Sequence, residues 1–244
     1  LILTPILILF NIGVAVAQTP SPIEEKVVVS PARVEKELRP GDKVRFNLKV
    51  TNDKLLEKKF FVKLSEFGAS EDETGKPTFS ERPTSSHTAF DWFKFPIPAI
   101  VIPSHARREI PIEIEVPENA ESGGYYQAII LSEEDPILRE KGPTVGVTQE
   151  IGTLVLIKVP GLIREAGTLK EVFPERFIFW SQPIKIFTRF ENTGNIHIKP
   201  TGLIEIYNMF GQKEEVAQIN STFNNVLPGT VRKFENNWSP AKLL

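Results

Sequence analysis

Three histidines, His87, His105 and His197, are the only side chains in this sequence whose ordinary pKa lies near neutrality. None stands at a metal-ligand spacing from another, and there is no cysteine to complete a zinc set or act as a nucleophile. No Gly-x-Ser-x-Gly elbow and no phosphate-cradling glycine loop occurs. Two acidic clusters remain. Glu71, Asp72 and Glu73 precede Gly75, and Glu133, Glu134 and Asp135 follow an apolar run. Neither has the alternating oxygen ligands and closing glutamate of a calcium loop, so both read as solvated turns. The sequence therefore predicts no catalytic residue, no metal ligand and no cofactor. Asn220-Ser221-Thr222 is a formal glycosylation sequon.

What is left is aromatic. Trp92 sits among Phe90, Phe93 and Phe95 in "FDWFKFP". Tyr125 and Tyr126 follow the Gly123-Gly124 pair in "ESGGYYQAII". Such side chains either fill a core or form an exposed strip on which a sugar ring stacks. One tyrosine is expected inward, with its hydroxyl bonded to a backbone carbonyl in the manner of a tyrosine corner, and the other outward. Trp92, Tyr125 and Tyr126 are the candidate binding residues.

These residues need elements to hold them. Apolar residues make up 41% and charged residues 25%, ordinary globular values, while 20 prolines oppose long helices. A net charge of −2 gives no reason to expect nucleic acid or an anionic membrane surface. The uncharged run 1–17 ends Ala15-Val16-Ala17 and reads as part of a secretory signal, cleaved between Ala17 and Gln18. Residues 18–23 form a polar, proline-rich linker. An exported chain without cysteine must stabilise each domain by its core alone.

Alternation of period two runs through the rest. In "DKVRFNLKVTN", Val44, Phe46, Leu48 and Val50 point one way and Lys43, Arg45, Asn47 and Lys49 the other, as in a half-buried antiparallel strand. "REIPIEIEVP" repeats this with Ile110, Ile112, Ile114 and Val116. Val44, Phe46, Leu48, Val50, Trp92, Ile112 and Ile114 are the expected core. The layout restarts in "PIKIFTRFEN", where Ile184, Ile186, Thr188 and Phe190 share a face, and both strands end in asparagine, Asn52 and Asn192. "IPSHARR" (Ile102 to Arg108) also matches "LPGTVRK" (Leu227 to Lys233). These patterns predict an all-β chain of two tandem antiparallel immunoglobulin-like sandwiches, 24–160 and 161–244, joined semi-rigidly near Pro160-Gly161. Only "SPAKLL" follows the last strand, so the second sandwich is expected to be truncated by two strands at its C-terminus.

Ser30-Pro31 with Arg33, Pro40-Gly41, the strand ending at Asn52, Trp92, and Val116-Pro117 followed by Gly124-Tyr125 resemble the WxL-interacting protein family and related two-domain bacterial surface proteins. The resemblance covers roughly 27–160. It implies an exported, non-enzymatic cell-surface binding or scaffold protein whose first domain contacts peptidoglycan or another cell-wall polymer and whose second contacts a host or partner surface, such as an envelope or surface protein. Membrane contact is expected only through a C-terminal anchor, read as missing from residues 1–244. The alternatives are a non-catalytic part of a larger secreted enzyme, or a strand-exchanging subunit like those of pili and their chaperones.

Overall fold

The computed structural model describes residues 26–84, 87–133, 150–176, 183–208 and 210–239. The proposed signal and linker, Glu134 and Asp135 lie outside them. Among the described residues no helix is long and apolar enough to cross a membrane.

The first unit is a sandwich of two sheets. One holds β1 (Val27–Ser30), β3 (Lys43–Asn52), β8 (Ala106–Glu115) and β6 (Phe93–Lys94), in that order. The other runs β2 (Arg33–Glu37), β10 (Glu150–Val159), β9 (Gly123–Ser132), β4 (Lys58–Ala69) and β5 (Pro77–Ser80), with β7 (Ala99–Ile102) also on β4. After β1 the chain passes from one sheet to the other through the cis Ser30–Pro31 bond, and β2 then pairs in parallel with β10. All other pairings are antiparallel.

The alternation selects the core. Leu48, Val50, Ile110, Ile112 and Ile114 are fully buried and face Ile129, Leu131, Val155 and Ile157 of the opposite sheet in one apolar cluster. Each such side chain stabilises the sandwich by about 1.5–3 kcal/mol through burial alone. Trp92, in a short 3₁₀ turn (Phe90–Trp92), completes this cluster. Val44 and Phe46 differ from expectation. They lie nearest one end of β3 and are only partly buried, though both pack on the core.

The second unit contains β11 (Gly167–Pro174), β12 (Ile184–Asn192) and β15 (Val231–Trp238) in one sheet, and β13 (Gly202–Tyr207) with β14 (Lys213–Ile219) in another. Its registers repeat those of the first. Val27 faces Asn52 as Gly167 faces Asn192, and Thr51 faces Arg107 as Glu191 faces Val231. Lys58 faces Ile102 as Ile198 faces Val226. Thus β11, β12 and β15 are counterparts of β1, β3 and β8, and β13 continues where β4 runs. The expected equivalence of Ile102 with Leu227 is off by one, because Ile102 corresponds to Val226. That match was made on proline and a basic pair, whereas the turn is set by the residue of positive φ before the strand, His105 (φ 52°) and Gly229 (φ 69°).

The paired asparagines explain why the repeat is so exact in register. Asn52 is fully buried, and its Nδ2 donates to the carbonyls of Leu56 (2.9 Å), Ile102 (3.0 Å) and Pro103 (3.2 Å) while its Oδ1 accepts from Lys54 N. Asn192, equally buried, donates to Ile196 and Val226, both at 2.8 Å, and accepts from Gly194 N. Each asparagine ties a strand end to the backbone carbonyls of two other segments. No counterpart of β9 or β10 is present among the described residues of the second unit.

Candidate interaction site

The candidate aromatic residues part company in the structure. Trp92 and Tyr125 are 5% and 4% exposed, and their rings lie 4.3 Å apart inside the first unit. Neither can stack on a sugar, which removes both as binding residues. Both occupy inward positions that the sandwich closes over. Tyr125 instead donates its hydroxyl to the Glu121 carbonyl at 2.9 Å, the expected tyrosine corner, and His87 stacks on its outer face at 4.1 Å.

Tyr126 does point outward, but a neighbour covers it. Its ring meets Phe67 at 5.8 Å and His197 of the second unit at 5.7 Å, both edge-on, and its hydroxyl lies 3.4 Å from His197 Nδ1. Burial pushes the Tyr126 hydroxyl pKa well up and the His197 imidazole down, so both are neutral at pH 7. The Gly123-Gly124 pair makes this joint possible. Gly123 holds φ at 142°, and a Cβ on Gly124 would fall 2.1 Å from the Tyr126 hydroxyl oxygen. The Gly124 amide donates to the Asn195 carbonyl of the second unit at 3.0 Å.

The rest of the joint is assembled from residues far apart in sequence. Leu227 enters the outer face of the first unit's sheet among Phe67, Ala128, Ile130 and Leu156. Glu35 accepts from Lys199 (2.6 Å) and Asn225 (2.9 Å). Burial acts to raise the Glu35 pKa, but these two hydrogen bonds and the positive charges of Lys199 and Arg33 bring it below the usual value.

The "EDETGKP" turn is corrected here as well. Asp72 closes the turn on Ser70 and Thr74, and those hydrogen bonds hold its pKa at about 2. Glu73 leaves solvent for the second unit. Its carboxylate receives two bonds from Arg189 (2.7 and 2.5 Å), its backbone carbonyl accepts from Lys233 N (2.7 Å), and Arg189 also reaches Glu171. The Arg189 hydrogen bond is the main cause of the lowered Glu73 pKa. A bidentate fork of this kind fixes geometry as well as charge. Glu71 and Asp72 stay exposed, as expected of a solvated turn, and only Glu73 departs from that reading; among the described residues no group of three His, Asp or Glu side chains is placed to hold a metal.

A cleft of about 580 Å³ lies beside the joint, lined by Glu35, Glu37, Lys158, Glu165, His197 and Lys199 among others. Two of its cations are already matched, Lys158 with Glu37 and Glu165, and Lys199 with Glu35. The sequon is spent too. Asn220 is 6% exposed and its amide donates to the carbonyls of Pro200 and Asn224, both at 2.9 Å.

One surface stays open. In the first unit, β4 carries β9 on one edge and β5 and β7 on the other. In the second unit β13 pairs with β14 alone, and among the described residues nothing occupies the edge where β9 would lie. Burial follows suit. The counterparts of the fully buried Ile112 and Ile114 are Asn236 and Trp238, both partly exposed, and Ile186, Phe190, Ile204, Ile206 and Ile219 are likewise only half-buried. Leu203 (66%) and Tyr207 (52%) are exposed on the other face of β13. The sequence pointed to such an edge through the expected lack of strands equivalent to "YYQAIILS" and "GTLVLIKV".

No family model matches the chain, and no curated protein matches it. Among solved structures it is similar to the chaperone–tip adhesin complex of CFA/I fimbriae, at 10% identity and a TM-score of 0.44, covering 88% of this chain and all of that one. It is also similar to the E. coli chaperone DraB, at 14% identity and a TM-score of 0.41, covering 89% of this chain and 88% of that one. The CsuC–CsuE chaperone–tip adhesion subunit complex of Acinetobacter baumannii matches at 10% identity and a TM-score of 0.41, over 86% and 89% of the two chains. At such distances function has to be read from the chain's own geometry.

Proposed function

We propose that this chain is an exported, non-enzymatic protein that binds a polypeptide segment by β-strand addition, its second unit accepting the strand. The observation that carries this is that, among the described residues, β13 has no neighbour at the position where β4 holds β9, in a unit whose other registers repeat the first. An open edge presents a row of backbone donors and acceptors, and a half-exposed apolar face beside it supplies pockets for alternate side chains. The first unit is closed, and through Glu73, Glu35 and Leu227 it serves as the frame that holds the second in place. A cell-wall polymer, the partner implied by the resemblance, has lost two of its three candidate contacts with the burial of Trp92 and Tyr125.

The test uses the full chain and a lysine-flanked peptide carrying the β9 sequence, Tyr125–Ser132. Hydrogen exchange is followed by NMR across residues 201–206. Slow exchange should appear at alternate amides of this segment when peptide is added. Protection already present in the free chain, or none at saturating peptide, overturns the proposal.

A further inference from the structure

A second cavity, of about 150 Å³, lies between the two units. Phe67, Leu154, Leu156 and Leu227 give it apolar walls, and among the described residues its charged lining side chains are two arginines, Arg33 of β2 and Arg232 of β15. Arg232 is held firmly. Its Nη1 donates to the Asn225 carbonyl at 2.8 Å, and its guanidinium lies 5.7 Å from the centre of the Phe234 ring. It also rests against Gly75, where φ is 74° and a Cβ would fall 2.2 Å from the arginine Cζ. The glycine of "EDETGKP" thus makes the space in which this cation sits.

Nothing balances its charge. The Arg232 Nε is buried without a hydrogen-bond partner, and among the described residues no carboxylate is paired with this side chain. Glu35 already takes Arg33 (3.2 Å), Lys199 (2.6 Å) and Asn225 (2.9 Å). Burial and the charge of Arg33 lower the Arg232 pKa, yet a guanidinium stays charged at pH 7. Two cations on one largely apolar cavity are costly unless a negative charge lies between them. Water can satisfy the Nε but cannot balance that charge.

The cavity wall carries one more unmet group, and it is an acceptor. Asn225 Oδ1 is buried without a donor, while its Nδ2 is committed to Glu35. That bond fixes the amide, because a flipped one would turn its oxygen on the carboxylate. The occupant therefore needs negative charge and a proton to donate. Sulfate and an ionised carboxylate have no such proton at pH 7. Inorganic phosphate has both.

We infer that this cavity is a binding site for inorganic phosphate, its oxygens accepting from Arg232 Nε and Arg33 and its hydroxyl donating to Asn225 Oδ1. The bound ion ties β2 of the first unit to β15 of the second. The site is independent of the strand-accepting reading, since no residue of β13 takes part in it.

The experiment titrates the full chain, labelled with nitrogen-15, with inorganic phosphate, methyl phosphate and sulfate at pH 7 and constant ionic strength. The Arg232 Nε–H signal reports occupation, and calorimetry reports affinity. Phosphate should move that signal saturably, half-completely below about 1 mM. Sulfate, and methyl phosphate as a dianion without a proton, should bind at least about ten-fold more weakly, because each leaves Asn225 Oδ1 unpaired. Asn225→Ala should bring the three anions within about three-fold of one another, and Arg232→Lys should weaken phosphate at least about ten-fold. Sulfate or methyl phosphate binding as tightly as phosphate to the unaltered chain means an adventitious ion only, and overturns the assignment whether or not a variant folds. An Arg232 signal that phosphate does not move overturns the site itself.

Discussion

Replacing Asn52 with alanine should cost the first unit far more than its small volume suggests. Its Nδ2 serves three carbonyls and its Oδ1 one amide, and the side chain has no solvent exposure. An amide carries two protons, so the three donated contacts amount to two full bonds, one of them shared; with the accepted bond that makes three. At about 1 kcal/mol net each, and more because the bond to the Ile102 carbonyl is buried, the loss is about 3–4 kcal/mol. Urea unfolding followed through Trp92 fluorescence, in a chain with Trp180 and Trp238 replaced by phenylalanine, isolates the first unit. With an m-value of about 2 kcal/mol per molar, the midpoint should fall by about 1.5–2 M. Lys49→Ala, on the exposed face of the same strand, should leave it within about 0.5 kcal/mol. An Asn52→Ala midpoint no lower than that of Lys49→Ala would refute the view that this side chain holds the two turns together.

Gly124→Ala should push the Tyr126 hydroxyl aside and remove the protection of the amide that bonds Asn195, while leaving the Trp92-detected transition within about 1 kcal/mol; retained protection would contradict the assigned role. The joint should also loosen in acid in two stages. Burial lowers the His197 pKa below its unfolded value, so its contribution is complete above about pH 6.5 and is lost as pH falls through the lower folded value. The groups that act on it are Tyr126, Glu35, Lys199, Lys158 and Arg33; Glu35 favours the imidazolium and the three cations oppose it. Glu73 and Glu35 have lowered pKa values too, so their contribution is complete above their unfolded pKa near 4.5 and is lost as pH falls from there through the lower folded values. Exchange of the Gly124 amide measured from pH 7 down to about pH 2 should show both stages, and His197→Phe should remove the upper one.

The sequence by itself determined the strands and which face of each is buried. Period-two alternation is a local property, and Leu48, Val50, Ile112 and Ile114 went inward because an antiparallel strand with four apolar residues on one face has no better place for them. It also determined the duplication, since Asn52 and Asn192 end equivalent strands and each must satisfy carbonyls of the following turns. The tyrosine corner was legible for the same reason, as a buried hydroxyl four residues past a turn finds its carbonyl nearby.

Only the tertiary structure decided what the outward residues do. Glu73, Tyr126 and Glu35 all read as surface positions, and each is claimed by a residue more than 70 positions away: Arg189, His197 and Lys199. Alternation says which side of a sheet a side chain leaves from, but not whether another unit covers that side. That the second unit lacks strands was expected from the sequence, but which edge this leaves open among the described residues lies beyond local pattern for a related reason. Its residues look like those of any strand, and an edge is defined by the neighbour it lacks, which is a property of the whole sheet.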